Sequence, residues 1–230
     1  MALITLPIDF SFSTVSKFSL ERMTNTMRSR YTGQTQKVVY PYALWVFDGT
    51  LVSYDGSKAA AIRSFFSKLE GQKNCFRLPV PGYNLPASNY YANLLTSVIS
   101  GARTNTVTVT GGVHSVDYLD QGDYITINDE LKLVTAYCPL DASGNCVITF
   151  MPPLRKAVAV GTIIYSVNPS VLLCASDDKV ANWGISPPYR HTLRLAAIEE
   201  ITTVIYAAPV TPTPVVHNSV IDGGNAFSVY

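Results

Sequence analysis

Charge is what this sequence has least of. Only 14% of its 230 residues are Asp, Glu, Lys or Arg, against about a quarter in a typical soluble domain. No apolar run approaches the roughly 20 residues of a membrane-spanning helix, so no membrane partner is expected. The amino-terminal MALITLPIDFSFS is apolar but lacks a basic stretch, and Pro7 and Asp9 interrupt it, which argues against a secretory signal. Cysteine is sparse: Cys75, Cys138, Cys146 and Cys174 include no C-x-x-C pair. His114, His191 and His217 are scattered without the spacing of a zinc site. Neither a G-x-S-x-G elbow nor a phosphate-binding loop occurs. The expectation is a chain with no catalytic residues, no metal ligands and no cofactor. A net charge of +1 argues against a dedicated nucleic-acid binder, which usually carries a clearly basic face. It leaves room for a protein lining a channel that DNA crosses without being gripped.

What the chain does hold is 47% hydrophobic residues and 11% aromatics. Interfaces favour aromatics and exclude Lys and Glu, so this composition suits a protein whose surface neighbours largely cover.

Along the chain, residues 2–8 and 10–20 alternate loosely between apolar and Ser/Thr, as half-buried strands do. The basic, polar stretch 23–36 fits a long hairpin or an exposed loop. VVYPYALWVF at 38–47 is β-branched and aromatic, and Pro41 places that strand at an edge or beside a bulge. One helix stands out at 57–70, capped by Asp55 or Ser57, with Ile62, Phe65, Phe66 and Leu69 on one stripe and Gly71 as the stop. A strand resumes at 75–80, and Tyr91, Leu94, Leu95 and Val98 could form a short helix. From Thr106 alternation becomes strict around Asn128-Asp129, a hairpin signal, and DASGN at 141–145 marks a second turn. Strands are expected again at 161–167, in VLLCAS, and in the stretch 191–206, where alternation outweighs a helical reading. Residues 207–230 carry Pro209, Pro212 and Pro214 and are expected to be an extended tail. The fold class is therefore mainly β: a split-barrel or β-sandwich domain from 1–103 plus 169–206, bearing the packed helix, with a small β-barrel inserted at 104–168.

Asp177-Asp178 and Glu199-Glu200 are adjacent carboxylates, which point to opposite faces of a strand, so they are expected to be solvated acids. The cysteines are expected to be buried free thiols, although the turn between Cys138 and Cys146 permits a cross-hairpin bond. A Cys/His nucleophile can be drawn from Cys138 or Cys146 with His114, and nothing else supports it. Tyr90, Tyr91, Trp45 and Trp183 could stack on sugars, as in a host-recognising carbohydrate module, but such residues are more often core or interface anchors.

Two stretches resemble phage distal tail and minor tail proteins. WVFDGTL followed by AAAIRSFFSKLEGQKNCFRLPVPG is similar to their aromatic strand, short helix and strand. LDQGDYITINDELKLVTAYCPLDASGNCVITFMPPLR is similar to their β insertion, with Asn168-Pro169 where the returning strand begins. The resemblance covers about residues 40–175. It implies a homo-oligomer, a hexameric ring at the distal end of the tail in the virion, assembled in the bacterial host cytoplasm. The ring would join the tail tube to the tip or baseplate hub around the channel that DNA traverses. Candidate contact residues toward neighbouring copies and tail proteins are Arg28, Arg30, Tyr31, Tyr42, Trp45, Trp183 and Tyr189.

Overall fold

The structure is a computed structural model that describes residues 1–7, 12–53, 56–83, 85–88, 90, 92–113, 116–181, 183–186 and 190–200. Among the described residues the fold is mainly β with one α-helix. In chain order the elements begin with β1 (Leu3–Ile4), β2 (Phe12–Arg28), β3 (Thr35–Ser53), α1 (Gly56–Leu69) and β4 (Cys75–Pro79). There follow β5 (Leu94–Thr96), β6 (Thr106–Thr110), β7 (Asp117–Leu119), β8 (Tyr124–Ile127), β9 (Glu130–Val134), β10 (Cys138–Pro139), β11 (Cys146–Met151) and β12 (Ile163–Tyr165). The chain returns through β13 (Ser170–Ala175), β14 (Trp183–Ser186) and β15 (Arg190–Glu199).

The first and last groups share one open sheet in the order β1-β4-β13-β15-β3-β2, with β14 pairing along β15. Only β1 and β4 run parallel. Strand β3 shows why the sheet has one dry face: Ala43, Trp45, Phe47, Gly49 and Leu51 are buried while the residues alternating with them are half-exposed. Helix α1 covers that face with Ala59, Phe65, Phe66 and Leu69, and Phe65 meets Phe76 of β4 edge-on at 5.5 Å. The helix ends through two left-handed residues, Glu70 (φ 50°) and Gly71 (φ 69°), and Asn74 N–H caps the Leu69 carbonyl at 3.1 Å. Asp55 lies outside the described residues.

The middle group is a closed barrel, β11-β6-β5-β12-β8-β9, with β7 and β10 paired beside it. Its interior is filled by Val107, Val109, Ile125, Ile127, Ile148, Phe150 and Ile164, each at most 1% exposed. Two turns set its register. Between β8 and β9, Asn128 and Asp129 both adopt positive φ (49° and 67°), the conformation of a two-residue hairpin turn that matches strand twist. Between β10 and β11, Asp141 Oδ1 accepts the N–H groups of Ser143 (2.7 Å) and Asn145 (2.9 Å), and these bonds hold its carboxyl below its ordinary pKa. Gly144 (φ 74°) packs so close to Gly112 that a Cβ would collide with the Gly112 carbonyl.

Three expectations change here. The stretch around Leu94 is a strand and not a helix: Leu94 and Thr96 face inward, Leu95 outward, and pairing to Thr110 and Ile163 closes the barrel. The barrel thus begins ahead of residue 104. The cysteines are joined as Cys75–Cys174 and Cys138–Cys146 rather than left as free thiols. Cys75 and Cys174 stand directly opposite each other on β4 and β13 with Cα atoms 4.4 Å apart, the close spacing of a non-hydrogen-bonded antiparallel pair. The His191 stretch is strand β15, as alternation indicates, and residues 201–230 lie outside the described residues.

Candidate assembly interface

Strands β2 and β3 outrun the sheet that holds them. β15 pairs with β3 only from Val46 to Ser53, whereas β2 and β3 remain paired out to Arg28 and Thr35. Beyond Arg22 and Ala43 the two strands form a two-stranded arm roughly 20 Å long, at about 3.3 Å per residue. The register slips at its base, where Arg22 faces Ala43 and Thr24 faces Val39, so Tyr40, Pro41 and Tyr42 stand against Met23 alone. Pro41, which cannot donate a ladder bond, sits in this bulge. At the tip Ser29 N–H donates to the Gln34 carbonyl at 2.9 Å, Gly33 N–H donates to the Ser29 carbonyl at 3.1 Å, and Gly33 adopts φ 70°.

Every residue from 21 to 40 is exposed. Tyr31 at the tip is 100% exposed, and Val39 is 67% exposed beside Val38 and Tyr40. Consecutive apolar residues on a strand place apolar surface on both of its faces. Met23 and Met27 add to that surface from β2. An isolated two-stranded ribbon is marginal in water, and an apolar one with free edges is a template for further pairing.

The candidate contact residues separate on this geometry. Arg28, Arg30, Tyr31 and Tyr42 are on the arm or its base and exposed, with the Tyr42 hydroxyl donating to Met23 Sδ at 3.0 Å. Trp45 is a correction: at 3% exposure it is core, stacked on Phe18 at 5.2 Å, with its indole N–H donating to the Leu131 carbonyl at 2.9 Å. It fastens the barrel hairpin to the sheet. The backbone of Trp183 belongs to β14, pairing with Leu193, and Tyr189 lies outside the described residues. The residues not singled out from sequence are Met23, Met27, Val38 and Val39. Three consecutive apolar side chains, 38–40, inside a strand were the available signal.

The carboxylate pair at 199–200 also departs from expectation. Glu199 is 3% exposed and not solvated. Its two oxygens accept the Arg155 guanidinium at 2.7 and 2.8 Å, and Oε2 also accepts the Trp45 N–H at 3.1 Å. Arg155 in turn donates to the Ala43 carbonyl at 2.6 Å. Burial opposes the Arg155 charge, yet Glu199 outweighs it and the guanidinium pKa is raised. Nearby, Lys132 is 0% exposed and donates to Glu130 (2.7 Å) and the Pro153 carbonyl (2.9 Å). Burial pushes its pKa down against the pull of Glu130. Arg155, through Glu199 and the Ala43 carbonyl, joins the chain leaving β11 to the sheet, while Lys132 and Glu130 lie together on β9 and hold residues 153–156. Each of the four is hydrogen-bonded to another of them or to backbone, as buried charges require. Asp178 meanwhile accepts the Gln72 N–H at 3.0 Å, tying the turn after β13 to the end of α1.

The drawn nucleophile does not assemble: Cys138 and Cys146 are bonded to each other, and His114 lies outside the described residues. Among the described aromatics, Trp45 is buried, and Tyr90 packs on Tyr118 at 6.0 Å while its hydroxyl accepts the Val113 N–H. A flat sugar-stacking platform is not built from these two. A groove of about 490 Å³ lies along β1 and β4, walled by Leu3, Leu6, Phe12, Val80 and Pro81. Among the described residues no helix is long and apolar enough to cross a membrane. No protein-family model matches the chain, and no curated protein matches it.

Proposed function

We propose that this chain is a non-enzymatic structural subunit of a bacteriophage tail, one that forms a ring at the distal end, between tail tube and tip or baseplate, around the DNA channel. The observation that carries this reading is the arm, twenty consecutive exposed residues (21–40) with apolar side chains on both faces. A second copy that covered this ribbon would supply the burial it lacks alone. The low charge of the sequence points the same way, since a covered surface needs little of it. The outer edge of β2 offers main-chain groups for strand addition. A rotation that repeats one such contact closes a ring, six copies being the expectation from the resemblance to distal tail proteins. The expected home is the tail of the virion after assembly in the host cytoplasm.

The test is the mass and symmetry of the purified chain, by light scattering and negative-stain imaging. Closed rings, with six-fold averages, are the expected result. A monomer at every concentration up to the solubility limit overturns the proposal.

A further inference from the structure

Two sets of charges lack ion-pair partners among the described residues. On the arm, Arg22, Arg28, Arg30 and Lys37 stand against Glu21 alone, a surplus of three positive charges. Glu21 is itself paired with Lys17. None of the four arm cations takes part in an ion pair among the described residues. Because the whole chain is only +1, everything outside the arm carries two more negative than positive charges.

Part of that negative charge is gathered beside the barrel. Asp117 of β7 and Asp120 after it are exposed at an open cleft of about 440 Å³ whose walls include Val116, Leu119 and Tyr137 and hold no Lys or Arg. Asp117 accepts a bond from the Tyr137 hydroxyl, and Asp120 Oδ1 accepts the Gln121 N–H at 2.7 Å. Neither carboxylate has a cationic partner among the described residues. The cleft is therefore more than an acidic spot. It combines two carboxylates, a half-exposed phenol ring and apolar side chains. A guanidinium matches such a surface because it forks onto carboxylates and lies flat on aromatic faces.

We infer that the arm of one copy docks beside the barrel of the next, with Arg28 and Arg30 entering the cleft at Asp117 and Asp120. This rests on the ring reading and names its contact. Arm and cleft are different surfaces, so a copy whose arm is docked still offers its own cleft to a further copy, and a rotation that repeats this contact and closes gives a ring. Docking gives Arg28 and Arg30 their missing partners. It also covers apolar surface that the single chain leaves in water.

Charge reversal tests it on the full chain. Arg28→Asp with Arg30→Asp, and separately Asp117→Arg with Asp120→Arg, should each raise the concentration needed for multimers about tenfold or more. All four substitutions together should restore assembly, read by sedimentation. As a second measurement, copies carrying Arg30→Cys mixed with copies carrying Asp120→Cys should cross-link in the mixture and not alone. Multimers that survive both reversals, or reversals that the combination fails to rescue without any mixed cross-link, overturn the docking while leaving the ring standing. An unaltered chain that never associates removes the ring and the docking together.

Discussion

The barrel and the β2–β3 arm are built from the same kinds of residue and differ in where their strand edges go. In the barrel each of six strands has a neighbour on both sides, and alternation sends Ile125, Ile127, Ile148 and Phe150 inward. The arm has similar Val and Tyr content around 38–42, but beyond β15 its two strands have only each other among the described residues. Closure removes edges, whereas an open ribbon keeps them. The difference teaches that β-forming sequence is not self-sufficient in this chain. The same residues are core where a sheet closes on itself and unfinished surface where it does not.

Hydrogen exchange should break or sharpen this contrast most strongly. In the dilute single chain, amides of 24–28 and 35–39 should exchange nearly unprotected, while β8, β9 and β11 approach the protection of global unfolding, of order 5–15 kcal/mol. The arm amides should gain protection in the multimer. Arm protection equal to that of the barrel in a monomer would erase the distinction.

The two cysteine pairs give the next largest effect. The Cys75–Cys174 bond spans 99 residues and brackets the barrel, while Cys138–Cys146 spans 8 within it. Loop-closure entropy then assigns about 5 kcal/mol to the first and about 2–3 kcal/mol to the second. Paired Cys→Ser variants, compared by urea unfolding of the oxidised protein, should show the open sheet depending on its bond more than the barrel on its own. Equal losses would count against the chain-entropy account.

The junction between the regions supplies the third. Glu199→Ala leaves the Arg155 guanidinium without its counter-charge and the Trp45 backbone N–H without its acceptor, and should cost about 3–5 kcal/mol. Replacing Glu199 and Arg155 together by Met should recover much of that loss. A Glu199→Ala chain as stable as its parent would mean that the barrel and the sheet do not depend on this link.

Much of the local architecture could be read in advance. The helix at 57–70, the Asn128-Asp129 hairpin, the DASGN turn and the bulge at Pro41 follow from signals a few residues wide. The strand at 191–199 was legible because alternation of Leu193, Leu195 and Ala197 persists long enough to distinguish it from a helix. The segment at 94–98 was not: a three-residue strand is too short for either period to declare itself, and its partners lie in β6 and β12. For the candidate interface, Arg28, Arg30 and Tyr31 lay in the basic, polar stretch 23–36, which fits a long hairpin or an exposed loop. Trp45 was misjudged because an aromatic side chain has the same composition signature in a core as at an interface.

Sequence alone determined most of the elements, because turn chemistry, capping and hydrophobic period act between residues close in the chain. It also determined the shortage of charge. Tertiary structure decided which cysteines meet across 99 residues, why Glu199 could be buried, and which strand edges remain open. Those outcomes depend on distant segments arriving at one place, where a carboxylate finds its guanidinium or a strand finds its neighbour, and no local pattern encodes that arrival.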